Sequence, residues 1–226
     1  MHSSVVSHFW TLILGTIISL LPIINPIAVS STFLAITEGD SPERRLEQLK
    51  RACLFMILIL VVSLLFGTFI MNVFGISIPG LRIAGGMLVV GIGWDMLNGK
   101  PVSAKSNEVA NNAARAKLDI SFSPLAMPLL SGPGSIAVTI GFTSLATGYI
   151  DYVAIILGIG AVSIITYIIL RLSSHVVKVI GTNGMTALTK IMGFLLVCVG
   201  IQFFVNGLVG IATEPALIQS IKSALK

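Results

Sequence analysis

Two short stretches carry the residue types from which a binding site could be made inside an otherwise apolar chain. The first is Leu21-Pro22-Ile23-Ile24-Asn25-Pro26. The second is Pro128-Leu129-Leu130-Ser131-Gly132-Pro133-Gly134-Ser135. A proline has no N–H to donate, and its ring clashes with the carbonyl four residues back. The residue before it is pushed away from helical geometry. Pro22 and Pro26, four residues apart, are therefore expected to unwind their helix locally, and Gly132 and Gly134 make a second break cheaper still. A broken helix frees N–H groups that suit an anion and carbonyls that suit an ammonium or a metal cation. Small polar side chains flank both breaks: Asn25, Ser30, Ser31 and Thr32 in one, Ser131, Ser135 and Thr139 in the other. Nothing bulky or charged lies there. This chemistry fits a small neutral polar solute, with Asn25, Pro26, Ser30, Ser131, Gly132, Pro133, Gly134 and Ser135 as the binding residues.

Other chemistry is sparse. The central serines have no nearby His, Asp or Glu to act as a base, so no catalytic residue is assigned and the chain is not expected to be an enzyme. His2, His8 and His175 share no ligand spacing, so neither a metal site nor a cofactor is expected. Cys53 and Cys198 both fall in apolar runs and read as small packing residues. Arg82 and Asp95 sit near opposite ends of one apolar run. Each is a candidate for gating or coupling, with anchoring at the membrane interface as the plainer role. Should the solute move with an ion, Na⁺ and H⁺ are the candidate coupling ions.

The elements that must position these residues follow from composition. Of the 226 residues, 55% are hydrophobic and 10% charged, against about 25% charged in soluble domains. The mean hydropathy is +0.99. This excludes an ordinary soluble enzyme, a disulfide-rich secreted domain and a disordered chain. The net charge of +5 does not indicate a nucleic-acid partner, because the basic residues form short clusters between long apolar runs. A spanning helix needs about 20 apolar residues. Six spans are expected, at roughly 9–37, 51–73, 79–98, 121–147, 150–171 and 187–210. The partners are then the lipid bilayer and a small-molecule substrate, and a homo-oligomer remains open. The N-terminus lacks the basic stretch of a cleavable signal peptide.

Eleven of the 14 basic residues fall in three connections: Arg44, Arg45, Lys50 and Arg51; Lys100, Lys105, Arg115 and Lys117; Arg171, Lys178 and Lys190. The excess of positive charge in cytoplasmic loops puts these inside and both termini in the periplasm. An offset of 107 residues aligns Pro26 with Pro133, Leu81 with Leu188, Gly86 with Gly193, Leu88 with Leu195, Val90 with Val197 and Gly93 with Gly200. Three spans per half force the second half to enter the membrane inverted. The expected fold is thus an all-α membrane protein of six transmembrane helices arranged as two inverted three-helix repeats, the first helix of each broken at Pro/Gly. Residues 1–98 and 121–226 form the halves, and 99–120 a cytoplasmic linker. Gly85, Gly86, Gly91 and Gly93 give the third span a small face for close helix packing, as do Gly193 and Gly200 in the sixth.

The segments 21–26, 74–86 (Phe-Gly-Ile-Ser-Ile-Pro-Gly-Leu-Arg-Ile-Ala-Gly-Gly) and 124–134 (Pro-Leu-Ala-Met-Pro-Leu-Leu-Ser-Gly-Pro-Gly) together resemble the MarC family of bacterial integral membrane proteins, over nearly the whole chain. The resemblance implies a six-span inner-membrane protein related to the LysE-type exporter superfamily. It also implies transport of small neutral amino acids, with glycine and alanine as candidates. The positions carried over are Asn25, Pro26, Gly132, Pro133 and Gly134. The expected mechanism is alternating access to a midplane site between the broken helices. Export of another small solute or a drug, and passive small-solute conduction, are the competing functions.

Overall fold

Backbone amides that enter hydrocarbon must find partners within the chain, so apolar runs of this length have to become helices. A computed structural model of the chain describes residues 2–99, 119–214 and 223. The described residues form helices and turns only. In order these are α1 (His2–Ile24), α2 (Pro26–Ile36), α3 (Pro42–Phe74), α4 (Ile78–Leu97), a wide-turned segment α5 (Ser121–Leu130), α6 (Pro133–Gly141) with a 3₁₀ turn at Phe142–Ser144, α7 (Tyr149–Arg171) and α8 (Ser173–Ala212). Among the described residues, five helices are long and apolar enough to cross a membrane. The pair Ser121–Leu130 and Pro133–Ser144, bent by 62°, is a candidate sixth. All but residues 99, 119 and 120 of the expected linker lie outside the described residues.

The helix boundaries follow from local chemistry. Ser41 caps α3 by accepting from the Arg44 N–H at 3.3 Å, with Pro42 in the first position. Ser77 caps α4 through the Gly80 N–H at 3.2 Å, and Gly75 ends α3 at φ 66°. Each such cap contributes about 1 kcal/mol. Two sequence expectations are corrected. Pro22 does not unwind its helix but stays inside α1, and the break is confined to Asn25. The connection 171–190 is largely helical: residues from Ser173 run in helix to a sharp turn at Gly181 (φ 68°, ψ 170°), and the last span follows from Asn183. That backbone angle suits glycine because it has no Cβ.

The buried side chains, among them Leu20, Phe33, Met56, Leu60, Leu125 and Ile155, pack in the interior, while Ile18, Phe69, Trp94 and Phe194 are more than half exposed. Apolar residues covering the outside as well as the inside are expected of a bundle surrounded by lipid. Helices of the first half pack mainly on helices of the second. The pairs are α1 with α7, α3 with α5, α6 and α7, α2 with α7 and α8, and α4 with α6 and α8. The α4–α8 contact is the closest. A Cβ added to Gly86 would come 2.6 Å from the Gly200 carbonyl oxygen, and one added to Gly93 would come 2.6 Å from that of Gly193. Only glycine lets two backbones approach this far. Gly85 faces the Ala137 methyl instead, and Gly91 meets nothing within 4 Å.

Candidate functional site

At the first break, Asn25 adopts the left-handed conformation (φ 44°, ψ 63°). Asparagine tolerates this better than other side-chain-bearing residues. Its own N–H still donates to the Leu21 carbonyl at 2.9 Å, and its carbonyl accepts from Val29 at 3.1 Å. The helix therefore changes direction for one residue and resumes at Pro26, whose missing N–H costs nothing in the first helical position. The Asn25 side-chain oxygen accepts from the Ala28 N–H at 3.3 Å. Its amide nitrogen is buried and faces the Met96 sulfur at 3.9 Å, a weak acceptor for a strong donor. Ser30 is fully buried and donates back to the Pro26 carbonyl at 2.8 Å.

The second break is wider. Ser123 and Met127, each directly before a proline, leave helical geometry (φ −125°, ψ 125° and φ −131°, ψ 123°). Leu125 donates to Ile120 at 3.1 Å and Ser131 to Ala126 at 2.8 Å, in both cases five residues back. Widened turns of this kind recur at functional sites. Gly132 then caps α6 with no side-chain hydrogen bond, and Pro133 opens the helix. The Ser131 hydroxyl is fully buried and has no partner, while Ser135 donates to the Gly132 carbonyl at 2.9 Å. Pro26 is buried, whereas Pro133 is exposed.

Both breaks meet α4. The Cβ position of Gly134 is 3.2 Å from the Ile92 side chain and 3.6 Å from those of Val89 and Ile23, the last only two residues before Asn25. Met96, one turn beyond Ile92, is the residue that Asn25 touches. The structure thus sets the start of α6 against the end of α1, with the 89–96 stretch of α4 alongside. Thr139 of α6 and Thr166 of α7 add two more fully buried hydroxyls without partners. Arg82 is not at a break; it donates to the Ser144 hydroxyl, just past α6. Asp95 is half-buried, two residues from the end of α4 and next to Met96. Among the described residues, no group of three or more His, Cys, Asp or Glu is placed to hold a metal ion.

The comparison with known proteins bears on this arrangement. Residues 10–212, which include both breaks, match the family model described as MarC family integral membrane protein. The chain belongs to the MarC family. It is 36% identical over 208 residues to the "UPF0056 inner membrane protein MarC" of Citrobacter koseri, covering 88% of this chain and 94% of that one. Its similarity to the protein of the same name from Salmonella typhimurium is 36% over 211 residues, with the same coverage. The Escherichia coli relative of that name is 36% identical over 208 residues. No solved structure matches the chain.

In this MarC-family chain, sequence reasoning found both breaks but missed Ile23, Val89, Ile92, Met96 and Thr166. The first four look like any other apolar residue in an apolar run, and Thr166 like any threonine that bonds back to its own helix. Only the fold distinguishes them.

Proposed function

We propose that this protein is an inner-membrane carrier of a small neutral amino acid, of glycine or alanine size, bound where the two breaks meet α4. The reading rests on one observation above all: the first turn of α6 has no side-chain cap, and beside it the fully buried Ser131 hydroxyl has no partner. A buried polar group left unpaired costs about 1–3 kcal/mol, and a helix N-terminus favours negative charge. A carboxylate would accept from Ser131 and from the N–H groups of Gly134 and Ser135. The Asn25 amide, facing only a thioether, is a further donor to the same solute. Ile23, Val89 and Ile92 close around Gly134 so tightly that even a Cβ there would press on Ile92, and a site this confined supports a small side chain. No titratable pair at these positions supports an enzyme.

The inverted repeat is part of this reading. At an offset of 107, Gly86 corresponds to Gly193 and Gly93 to Gly200, and each glycine packs against the counterpart of the other. That reciprocity is the contact rule of a two-fold axis. The starts of α2 and α6 (Pro26, Pro133) and of α3 and α7 (Pro42, Tyr149) keep the same offset. The basic residues favour both termini on the periplasmic side. Because the helices of each half pack on the other half, alternating access requires sliding of α4 and α8 against the remaining helices rather than rocking of separate halves.

Counterflow of labelled alanine or glycine into proteoliposomes preloaded with unlabelled amino acid tests the proposal. Saturable counterflow is expected, with apparent affinity falling about tenfold or more in Ser131→Ala, the loss expected for a hydrogen bond to a charged group. No flux of any small amino acid through folded protein would overturn the substrate. Unchanged affinity in Ser131→Ala would overturn the site.

A further inference from the structure

At one end of the bundle the cations fall into two groups. Arg44 lies 3.6 Å from Asp40, and Arg51 contacts Glu47 at 2.5 Å and Asp119 at 3.2 Å. These are exposed ion pairs that need nothing further. Arg45 and Arg171 differ: among the described residues neither takes part in an ion pair. Both line a cavity of about 240 Å³ between the start of α3 and the end of α7, together with Pro42, Leu46, Leu49, Leu170 and Phe33 of α2. No described residue lining it is acidic.

Arg45 is held in place by donating from Nη2 to the Thr37 carbonyl at 3.1 Å. Its Nε is enclosed by protein and has no partner. A guanidinium has five N–H donors, so this one is positioned yet largely unspent. Arg171, in the last turn of α7, is exposed. Below the two guanidiniums the floor is apolar, since Phe33, Leu49 and Leu170 are almost completely buried. Arg171 ends α7, a 23-residue apolar helix of about the length that crosses the hydrocarbon core, which sets the cavity at headgroup depth. Two uncompensated cations above an apolar floor, at that depth, match an anionic amphiphile.

We infer that this cavity binds the phosphate of an anionic phospholipid, with Arg45 and Arg171 on the phosphate oxygens and an acyl chain over Phe33 and Leu46. Basic pockets between membrane helices recognise such headgroups. The inference is independent of the transported solute. Free phosphate shares the anionic chemistry but has no use for the apolar floor.

The test is retention of phosphatidylglycerol against phosphatidylcholine by the detergent-purified full chain, read by native mass spectrometry, with the thermal midpoint measured in the presence of each lipid. Preferential retention of phosphatidylglycerol is expected, falling about fivefold in Arg45→Gln and again in Arg171→Gln. It should persist in Arg44→Gln, whose cation already has Asp40. Arg45→Lys, which keeps the charge, serves if Arg45→Gln does not fold, and Arg171→Gln stands on its own. Equal retention of the two lipids overturns the proposal, as does an equal loss in Arg44→Gln. Displacement of the lipid by millimolar inorganic phosphate with the same gain in midpoint would assign the site to the free anion and overturn the lipid.

Discussion

The two breaks sit at corresponding positions of the chain and are built differently. The first is one residue long. A single side chain, that of Asn25, supplies the left-handed backbone and caps the helix that follows, so it consumes the Ala28 donor it exposes. The second is spread over Ser123 to Gly132, made by prolines and glycines, and leaves its capping position empty. A break made by a side chain is closed by that side chain, and a break made by the backbone stays open. On the proposed reading the second is therefore the better anion site, while the first contributes the Asn25 amide. An inverted repeat, as proposed, would not make the two breaks equivalent in chemistry.

The largest effect that would sharpen this difference is at Gly134. A Cβ there meets Ile92 at 3.2 Å and Ile23 and Val89 at 3.6 Å. Alanine would press on Ile92, and Gly134→Val is expected to cost about 1–3 kcal/mol by overpacking and to reduce counterflow to background. The corresponding residue of the first break is Ile27, already branched and half-buried. Ile27→Val should stay within about 0.5 kcal/mol and transport normally. Thermal midpoints and counterflow of the two variants make the comparison. Equal losses would show the breaks to be interchangeable.

Asn25 comes next, because its backbone and side-chain roles can be separated. Asn25→Ala loses the cap, about 1 kcal/mol, and forces a Cβ without local hydrogen bonds into the left-handed region, about 1–2 kcal/mol more. Asn25→Gly keeps the backbone angle and gives up only a few tenths of a kcal/mol as a cap. Both remove the amide. The expected result is a lower melting temperature for alanine, a nearly unchanged one for glycine, and weakened solute affinity in both. Normal affinity in a stable Asn25→Gly would reduce Asn25 to a structural cap.

How much of this was legible in the sequence depends on whether a feature is local. Prolines act on their immediate neighbours, so Asn25, Ser123, Met127 and Gly132, each directly before a proline, are the residues that leave helical geometry. Pro22 was misread because one lost hydrogen bond inside a long helix in lipid is absorbed where the surrounding turns hold. The helix at 173–180 was hidden by its shortness and by the basic residues that mark 171–190 as a connection, until Gly181 is seen to form the corner. The small faces were legible as glycines but not their pairing, since which carbonyl Gly86 meets depends on how α4 and α8 cross. For the same reason the serines could not be ranked. Ser30, Ser131 and Ser135 look alike in sequence, and only the fold shows that the first and last bond back to their own turns while Ser131 does not.

That ranking gives a smaller effect with a definite sign. Ser30→Ala and Ser135→Ala each remove a hydroxyl along with its local bond to a main-chain carbonyl, and both are expected to leave solute affinity within about twofold and stability within about 1 kcal/mol. Ser131→Ala instead removes a buried group that lacks a partner. Without solute its melting temperature should be unchanged or slightly higher. Denaturation in the absence and presence of alanine separates the cases, since a solute that binds only the folded state raises stability. A structural Ser131 would lower the melting temperature in both conditions.

The smallest expected effect lies at the entrance to the second break, which has an electrostatic tie. Asp119 Oδ1 accepts from the Ser121 hydroxyl at 2.5 Å and from its N–H at 2.9 Å, and Arg51 reaches Oδ2 at 3.2 Å. The Ser121 hydrogen bonds, with a smaller part from Arg51, hold the Asp119 carboxyl below its usual value. A carboxylate whose pKa is lowered by folding stabilises the fold above its unfolded pKa of about 3.9, and that contribution is lost as the pH falls through the lower folded value. The melting temperature of the wild type should therefore drop more steeply than that of Asp119→Asn below about pH 4, and the two should run parallel above it. The carboxylate is more than half exposed, and solvent screening keeps the difference small. Parallel curves through the acid range would mean that the tie contributes nothing to holding α5 against α3, and that the second break is shaped by its prolines and glycines alone.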